Sequence, residues 1–123
     1  MPILADTSVW VDHVRMEEVV FGSLLRQRGI VLHPFVVGEL ALGHLARFET
    51  MIKDLRDLPQ APVASAEEVL QLIKLKNLSG SGVGYVDAHL LASTLIMPDV
   101  RLWTRDKKLR AVAERLSISA AMD

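Results

Sequence analysis

At 123 residues, half of them hydrophobic and with a formal net charge of −1, the chain is expected to fold as one domain, 1–123, with a core of useful size. It has no cysteine, which excludes disulfides, thiolate catalysis and zinc sites of the Cys type, and its near-balanced charge excludes a global pull toward nucleic acid or anionic membrane. The opening MPILADTSVW has no basic leader and no apolar run approaches the ~18 residues of a membrane span, so a soluble cytoplasmic protein with no membrane partner is expected.

Residues 2–5, PILA, predict a short buried strand that stops at DTS, where Asp6, Thr7 and Ser8 can each cap a helix over 7–15. Val20, Phe21, Leu24 and Leu25 share one face of a second amphipathic helix, and Gly29 is placed to end it. IVLH at 30–33 predicts a second strand leading into FVVGELALGHLA, 35–46, a helix apolar on nearly every side that nonetheless carries Glu39. A bare carboxylate is costly to bury, so Glu39 calls for a partner. A helix over 48–57 closes at Pro59, and APVA at 61–64 reads as a third strand.

SAEE at 65–68 has a capping-box pattern ahead of a helix carrying Val69, Leu72 and Ile73. SGSGVG at 79–84 predicts a flexible loop, YVDAHLLASTLIM at 85–97 a mostly apolar helix and VRLWT at 100–104 a strand. Leu109, Val112, Ala113 and Leu116 mark a last amphipathic helix, and ISAAM at 118–122 is expected to add an edge strand. Short apolar strands alternating with helices predict an α/β fold, a parallel sheet covered by helices on both faces.

In such sheets ligands bind at the carboxyl ends of the strands. Asp6 follows the first strand and Asp106 follows VRLWT, while Glu39 follows the second strand and Asp87 opens an apolar helix after a glycine-rich loop. Four carboxylates thus become candidates for one site. They cannot converge as bare anions, and an all-oxygen donor set selects a hard ion, Mg²⁺ or Mn²⁺. Such a site suits phosphodiester chemistry, with one ion or with two about 3.5–4 Å apart. Each acid also has an ordinary structural reading: Asp6, Asp87 and Asp106 as caps or first-turn acids, Glu39 as half of a buried ion pair with an arginine. Their joint pattern carries more than any one of them.

The order and spacing of DTSVW, GEL, YVDAHLLAS and LWTRDKKL resemble the PIN-domain nucleases, and among them the VapC-type toxins of toxin–antitoxin pairs. The resemblance covers residues 6–109. It implies a three-layer α/β/α sandwich around the parallel sheet, and the toxin component of a type II toxin–antitoxin system acting as an Mg²⁺- or Mn²⁺-dependent endoribonuclease. The family's acids fall on Asp6, Glu39, Asp87 and Asp106 as catalytic and metal-binding residues, with Asp6 and Asp87 the most direct ligands and Glu39 and Asp106 binding directly or through water. The supporting hydroxyls fall on Ser8 and Thr104, which would hydrogen-bond carboxylates or bound water. In-line attack by water on RNA would leave a 5′-phosphate and a 3′-hydroxyl.

The implied partners are RNA, a cognate VapB-type antitoxin and a second copy of the chain, as a homodimer or as a heterotetramer or larger with antitoxin. Apolar surface around residues 20–25 and 35–57 would serve the protein partners, and core packing is the alternative use for each residue there. Arg105, Lys107 and Lys108, in a basic run beside Asp106, are expected to meet RNA phosphates. His13, His33, His44 and His89 lack an HExxH-like spacing and are expected to be packed or surface residues. Trp10 and Trp103 are expected in the core rather than stacked on a base. A dehalogenase-type phosphatase would need a second Asp where Ser8 stands, and a receiver domain an acidic pair after the first strand. The rival from another class is a non-catalytic PIN-like binding module whose acids are structural.

Overall fold

The computed structural model describes residues 2–123. Three short parallel strands, β1 (Ile3–Ala5), β2 (Ile30–Val31) and β3 (Arg101–Trp103), are ordered β2-β1-β3, with Leu4 opposite both Val31 and Leu102. Leu4, Ala5, Ile30, Leu32 and Leu102 are fully buried, as strands covered on both faces require. Seven helices surround them among the described residues: α1 (Thr7–Arg15), α2 (Val19–Arg26), α3 (Pro34–Ala41), α4 (Phe48–Arg56), α5 (Ala66–Leu75), α6 (Tyr85–Ile96) and α7 (Lys107–Arg115). Helix α1 packs on α3, α3 on α4, and α5 on α6, giving the expected α/β sandwich. None of these helices is long and apolar enough to cross a membrane.

The two outer strands expected at 61–64 and 118–122 shrink to single parallel bridges, Leu32 with Gln60 and Leu102 with Ser119. On the first edge the ladder consists of Leu32 N–H to Pro59 O at 2.8 Å and Ala61 N–H to Leu32 O at 2.9 Å. Pro62 then lacks the N–H that would extend it. On the other edge, Leu102 donates to Ile118 O and accepts from Ala120 before the chain folds back at Met122.

Local chemistry sets most helix ends. Ser65 and Glu68 close the expected capping box, the Ser65 hydroxyl accepting Glu68 N–H at 3.1 Å and the Glu68 carboxylate accepting Ser65 N–H at 2.9 Å. Helix α2 ends differently from expectation. Arg28, at φ 55°, takes the left-handed position, and its N–H and that of Gly29 bond Leu25 O and Leu24 O. This is a Schellman turn with arginine where glycine is usual. Helix α3 stops at Ala41 rather than near residue 46, leaving Leu42 90% exposed.

That stop changes the reading of Glu39. Helix α3 turns Val36, Val37 and Leu40 into the core and presents Gly38 and Glu39 to solvent. Glu39 is therefore not a buried charge, and it has no arginine partner. Trp10 and Trp103 are core residues as expected, packed about Phe21 with ring centroids at 4.8 and 5.7 Å.

Candidate active site

At the carboxyl edge of the sheet the four acids stand at graded depth: Asp6 is buried, Asp87 half-buried, and Glu39 and Asp106 are exposed. Asp6 ends β1 and caps α1. Its Oδ1 accepts Ser8 N–H at 3.0 Å, the Ser8 hydroxyl at 2.5 Å and Val9 N–H at 3.4 Å, and its Oδ2 accepts the Thr104 hydroxyl at 2.6 Å. Burial pushes the Asp6 carboxyl up from its ordinary pKa, and the hydrogen bonds from Ser8, Thr104 and the α1 backbone pull against that rise.

Thr104 and Ser8 tie β3 to β1. Thr104 Oγ1 also accepts Asp106 N–H at 3.0 Å, and Ser8 Oγ accepts Arg105 N–H at 3.0 Å. Asp106 then caps α7, its Oδ1 accepting Leu109 N–H at 2.9 Å. Across the site, Thr7 Oγ1 donates to Glu39 at 2.5 Å and so joins α1 to α3. Nothing in DTS singles Thr7 out for this, because its partner lies 32 residues away.

Asp87 is the exception among the three aspartates. Gly84 caps α6 without a side chain, and no hydrogen bond stabilises the Asp87 carboxylate. Burial first, then the negative charges of Asp6, Asp106 and Glu39, push its pKa up to about 6. One carboxylate thus feels all three others. As they stand, no three acid or imidazole groups among the described residues already enclose an ion.

Basic side chains do not relieve this charge. Arg105 contacts Asp12 at 2.7 Å and Glu18 at 2.7 Å, and these are the ion pairs among the described residues. Its guanidinium binds both Glu18 oxygens, one Asp12 oxygen and the Asp123 carbonyl, so four of its five N–H donors are occupied. Arg105, expected to meet RNA phosphates, is thus held within the protein, where it braces α1 and the turn before α2 against β3. Lys107 and Lys108 are exposed in the first turn of α7. Lys108 runs along the 79–84 loop so closely that a Cβ on Gly82, at φ +85°, would lie 2.6 Å from its Cδ.

An all-oxygen, net-negative donor set with no basic counter-ion fits a hard divalent cation that keeps several waters. Away from this site, a groove of about 480 Å³ opens beside Trp10, Val14, Leu25, Leu45, Met51 and Leu55. The Trp10 indole N–H is buried without a hydrogen-bond partner.

No protein-family model matches the chain. Two curated relatives do: Ribonuclease VapC32 of Mycobacterium tuberculosis strain CDC 1551 / Oshkosh and of strain ATCC 25618 / H37Rv. Each is 40% identical over 119 residues, which cover 97% of this chain and 96% of the relative. A similarity of that depth, running the full length of a parallel α/β sandwich with acids gathered at its carboxyl edge, shows that the chain belongs to the VapC-type PIN ribonuclease family.

Proposed function

We propose that the chain is a single-domain toxin ribonuclease that hydrolyses RNA phosphodiesters with Mg²⁺ or Mn²⁺ at Asp6, Glu39, Asp87 and Asp106. The observation that carries this reading is Asp87. Asp6 and Asp106 have capping duties that would explain them in a non-catalytic module, whereas the Asp87 carboxylate has no structural partner and is raised by burial and three like charges. A fold keeps such a group where a ligand compensates it.

In this reading Asp6 and Asp87 would hold the cation most directly, with Glu39 and Asp106 binding it directly or through water. When bound, the cation supplies Lewis acidity to the attacking water and offsets charge at phosphorus. Ser8 and Thr104 fix the Asp6 carboxylate in one rotamer through three hydroxyl and backbone bonds. Water adds to phosphorus as the P–O3′ bond breaks, leaving a 5′-phosphate and a 3′-hydroxyl. Lys107 and Lys108 take the RNA backbone beside the site and hold it against the repulsion of the acids.

The partners follow from surfaces away from the acids. The apolar groove beside Trp10 suits an apolar segment of a VapB-type antitoxin, and exposed Leu42 and Phe48 suit a second copy of the chain. A cytoplasmic setting fits both RNA and antitoxin. Sequencing RNA ends after induced expression of wild type and Asp6→Asn tests the activity: new 5′-phosphate ends with wild type alone are expected. Identical profiles would remove the ribonuclease reading.

A further inference from the structure

The two hydroxyls of the DTS turn meet different acids. Ser8 Oγ donates to Asp6 Oδ1, whereas Thr7 Oγ1 reaches across to α3 and donates to Glu39 Oε1 at 2.5 Å. A threonine inside a helix can spend its proton on the carbonyl one turn back, as Thr94 does with Leu90 O at 2.7 Å in α6. Thr7 is the first residue of α1, with strand rather than helix behind it, so no such carbonyl is in place and its proton goes to a distant acceptor. The direction of that hydroxyl is set by its surroundings. Asp6 caps α1 through Ser8 and Val9 N–H and so fixes the helix start on which Thr7 stands, and the branched Cβ leaves the side chain few rotamers.

Glu39 needs such a restraint. It is an exposed, long side chain near the end of α3, and among the described residues no lysine or arginine pairs with it. A glutamate left loose there would give up its rotamer freedom on meeting an ion. The bond from Thr7 removes that cost beforehand.

A hydroxyl is also the right kind of partner. An arginine or lysine at the same place would orient the carboxylate but offset its charge, and a divalent cation would then be bound less strongly. Threonine orients it and leaves the charge whole. A carboxylate accepts at two oxygens, and Thr7 occupies Oε1, which leaves Glu39 Oε2 without a donor. The bond sets position as well. It ties Glu39 to the residue that directly follows Asp6, so both carboxylates are held at the same end of α1.

We infer that Thr7 is the positioning residue of Glu39: its hydroxyl fixes the exposed carboxylate at the start of α1 and leaves Oε2 for a divalent cation or one of its waters. The inference rests on the metal-dependent ribonuclease reading, and it gives the threonine of DTS a duty separate from that of Ser8. Two measurements test it, Mn²⁺ binding to RNA-free protein by electron paramagnetic resonance and RNA cleavage against Mg²⁺ concentration. The proteins are wild type, Thr7→Val, Thr7→Ser, Glu39→Ala and the double variant of Thr7→Val with Glu39→Ala. Thr7→Val keeps the shape and loses the donor; its Mn²⁺ affinity falls about ten-fold, the lower end of what losing the partner of a metal-binding group costs. Its half-saturating Mg²⁺ rises by a similar factor, while its rate at saturating Mg²⁺ and its metal-free thermal midpoint stay close to wild type. Thr7→Ser restores the affinity. In the Glu39→Ala protein the same Thr7→Val change has no further effect on Mn²⁺ binding, a result that a merely structural threonine does not give. Wild-type Mn²⁺ affinity in Thr7→Val, or an equal loss with and without Glu39, overturns the inference and leaves the ribonuclease reading standing. A wild type that binds Mn²⁺ yet cuts no RNA removes the ribonuclease reading, while the Mn²⁺ comparison still decides on Thr7. One that neither binds Mn²⁺ nor cuts RNA removes both.

Discussion

Thr104 Oγ1 stands between two acids, donating to Asp6 Oδ2 at 2.6 Å and accepting the backbone N–H of Asp106 at 3.0 Å. One hydroxyl therefore sets the spacing between the end of β1 and the start of α7. Thr104→Val keeps the shape and deletes both bonds, stranding a buried carboxylate oxygen. The variant should lose about 1–3 kcal/mol of stability in urea denaturation. Because the Thr104 hydrogen bond lowers the Asp6 pKa, its loss should also move the acid limb of the RNA-cleavage profile to higher pH. Thr104→Ser should restore both, and an unmoved acid limb would separate Thr104 from the chemistry.

What the sequence announces here is local. Asp6 before a hydroxyl pair, the Ser65/Glu68 box and the apolar run after Gly84 each place an element correctly, because cap, periodicity and breaker lie within a few residues of one another. The features it conceals depend on distant partners. Arg105 reads as a free cation until Asp12 and Glu18, 93 and 87 residues away, are brought to it. Glu39 reads as buried because the apolar letters around it hide where α3 stops. Even Arg28, holding the left-handed turn that glycine should hold, is dictated by where the chain must go next.

Asp87 should destabilise the metal-free fold at neutral pH. Its folded pKa, about 6, lies above the ordinary 3.8, so the folded state binds the proton more tightly. The folded protein therefore loses stability as pH rises from about 4 through about 6. Asp87→Asn should gain about 1–2 kcal/mol above pH 6 in metal-free buffer, after allowing for partial exposure, and nothing below pH 4. Added Mg²⁺ should stabilise wild type and not the variant. An Asp87→Asn protein less stable than wild type at pH 7.5 would point to a structural role.

His33 titrates in the opposite sense. Burial first, then the neighbouring His89, lower its pKa from 6.5 to about 4, so the unfolded state binds the proton more tightly. Stability from this residue is complete above pH 6.5 and is lost as pH falls toward 4, by roughly 3 kcal/mol in all. In wild type this loss runs against the gain from Asp87 across the same window. Urea midpoints measured from pH 4 to 7.5 should therefore change less for wild type than for Asp87→Asn. On acidification they should rise for His33→Asn, which keeps a capping side chain, and fall most for Asp87→Asn. Parallel profiles for the three proteins would remove both assignments.

The basic run divides by salt dependence. Lys107 and Lys108 are exposed beside Asp106, whereas Arg105 is held by Glu18 and Asp12. Each lysine that meets a phosphate should lower the slope of log K against log salt by about 0.7 for single-stranded RNA. Lys107→Ala and Lys108→Ala should each show that loss, with binding measured on Asp6→Asn protein to prevent cleavage. Arg105→Ala should leave the slope unchanged and instead lower the thermal midpoint, since it frees two carboxylates and the Asp123 carbonyl. A slope change with Arg105→Ala would mean that the brace opens to receive RNA.

Glu39→Gln isolates the rim of the site from the fold. The side chain is exposed, and its one bond within the protein is the 2.5 Å contact from Thr7 Oγ1, which a glutamine oxygen can accept equally well. Metal-free stability should therefore change by no more than about 0.5 kcal/mol, the range of an ordinary surface substitution. Had Glu39 been buried, as the apolar letters around it suggest, neutralising it would have stabilised the protein. The loss should fall on activity at low Mg²⁺, where one negative charge fewer weakens attraction for the cation, and higher Mg²⁺ should recover part of it. Stabilisation by more than 1 kcal/mol would restore the buried-charge reading, while cleavage unchanged at limiting Mg²⁺ would take Glu39 out of the site.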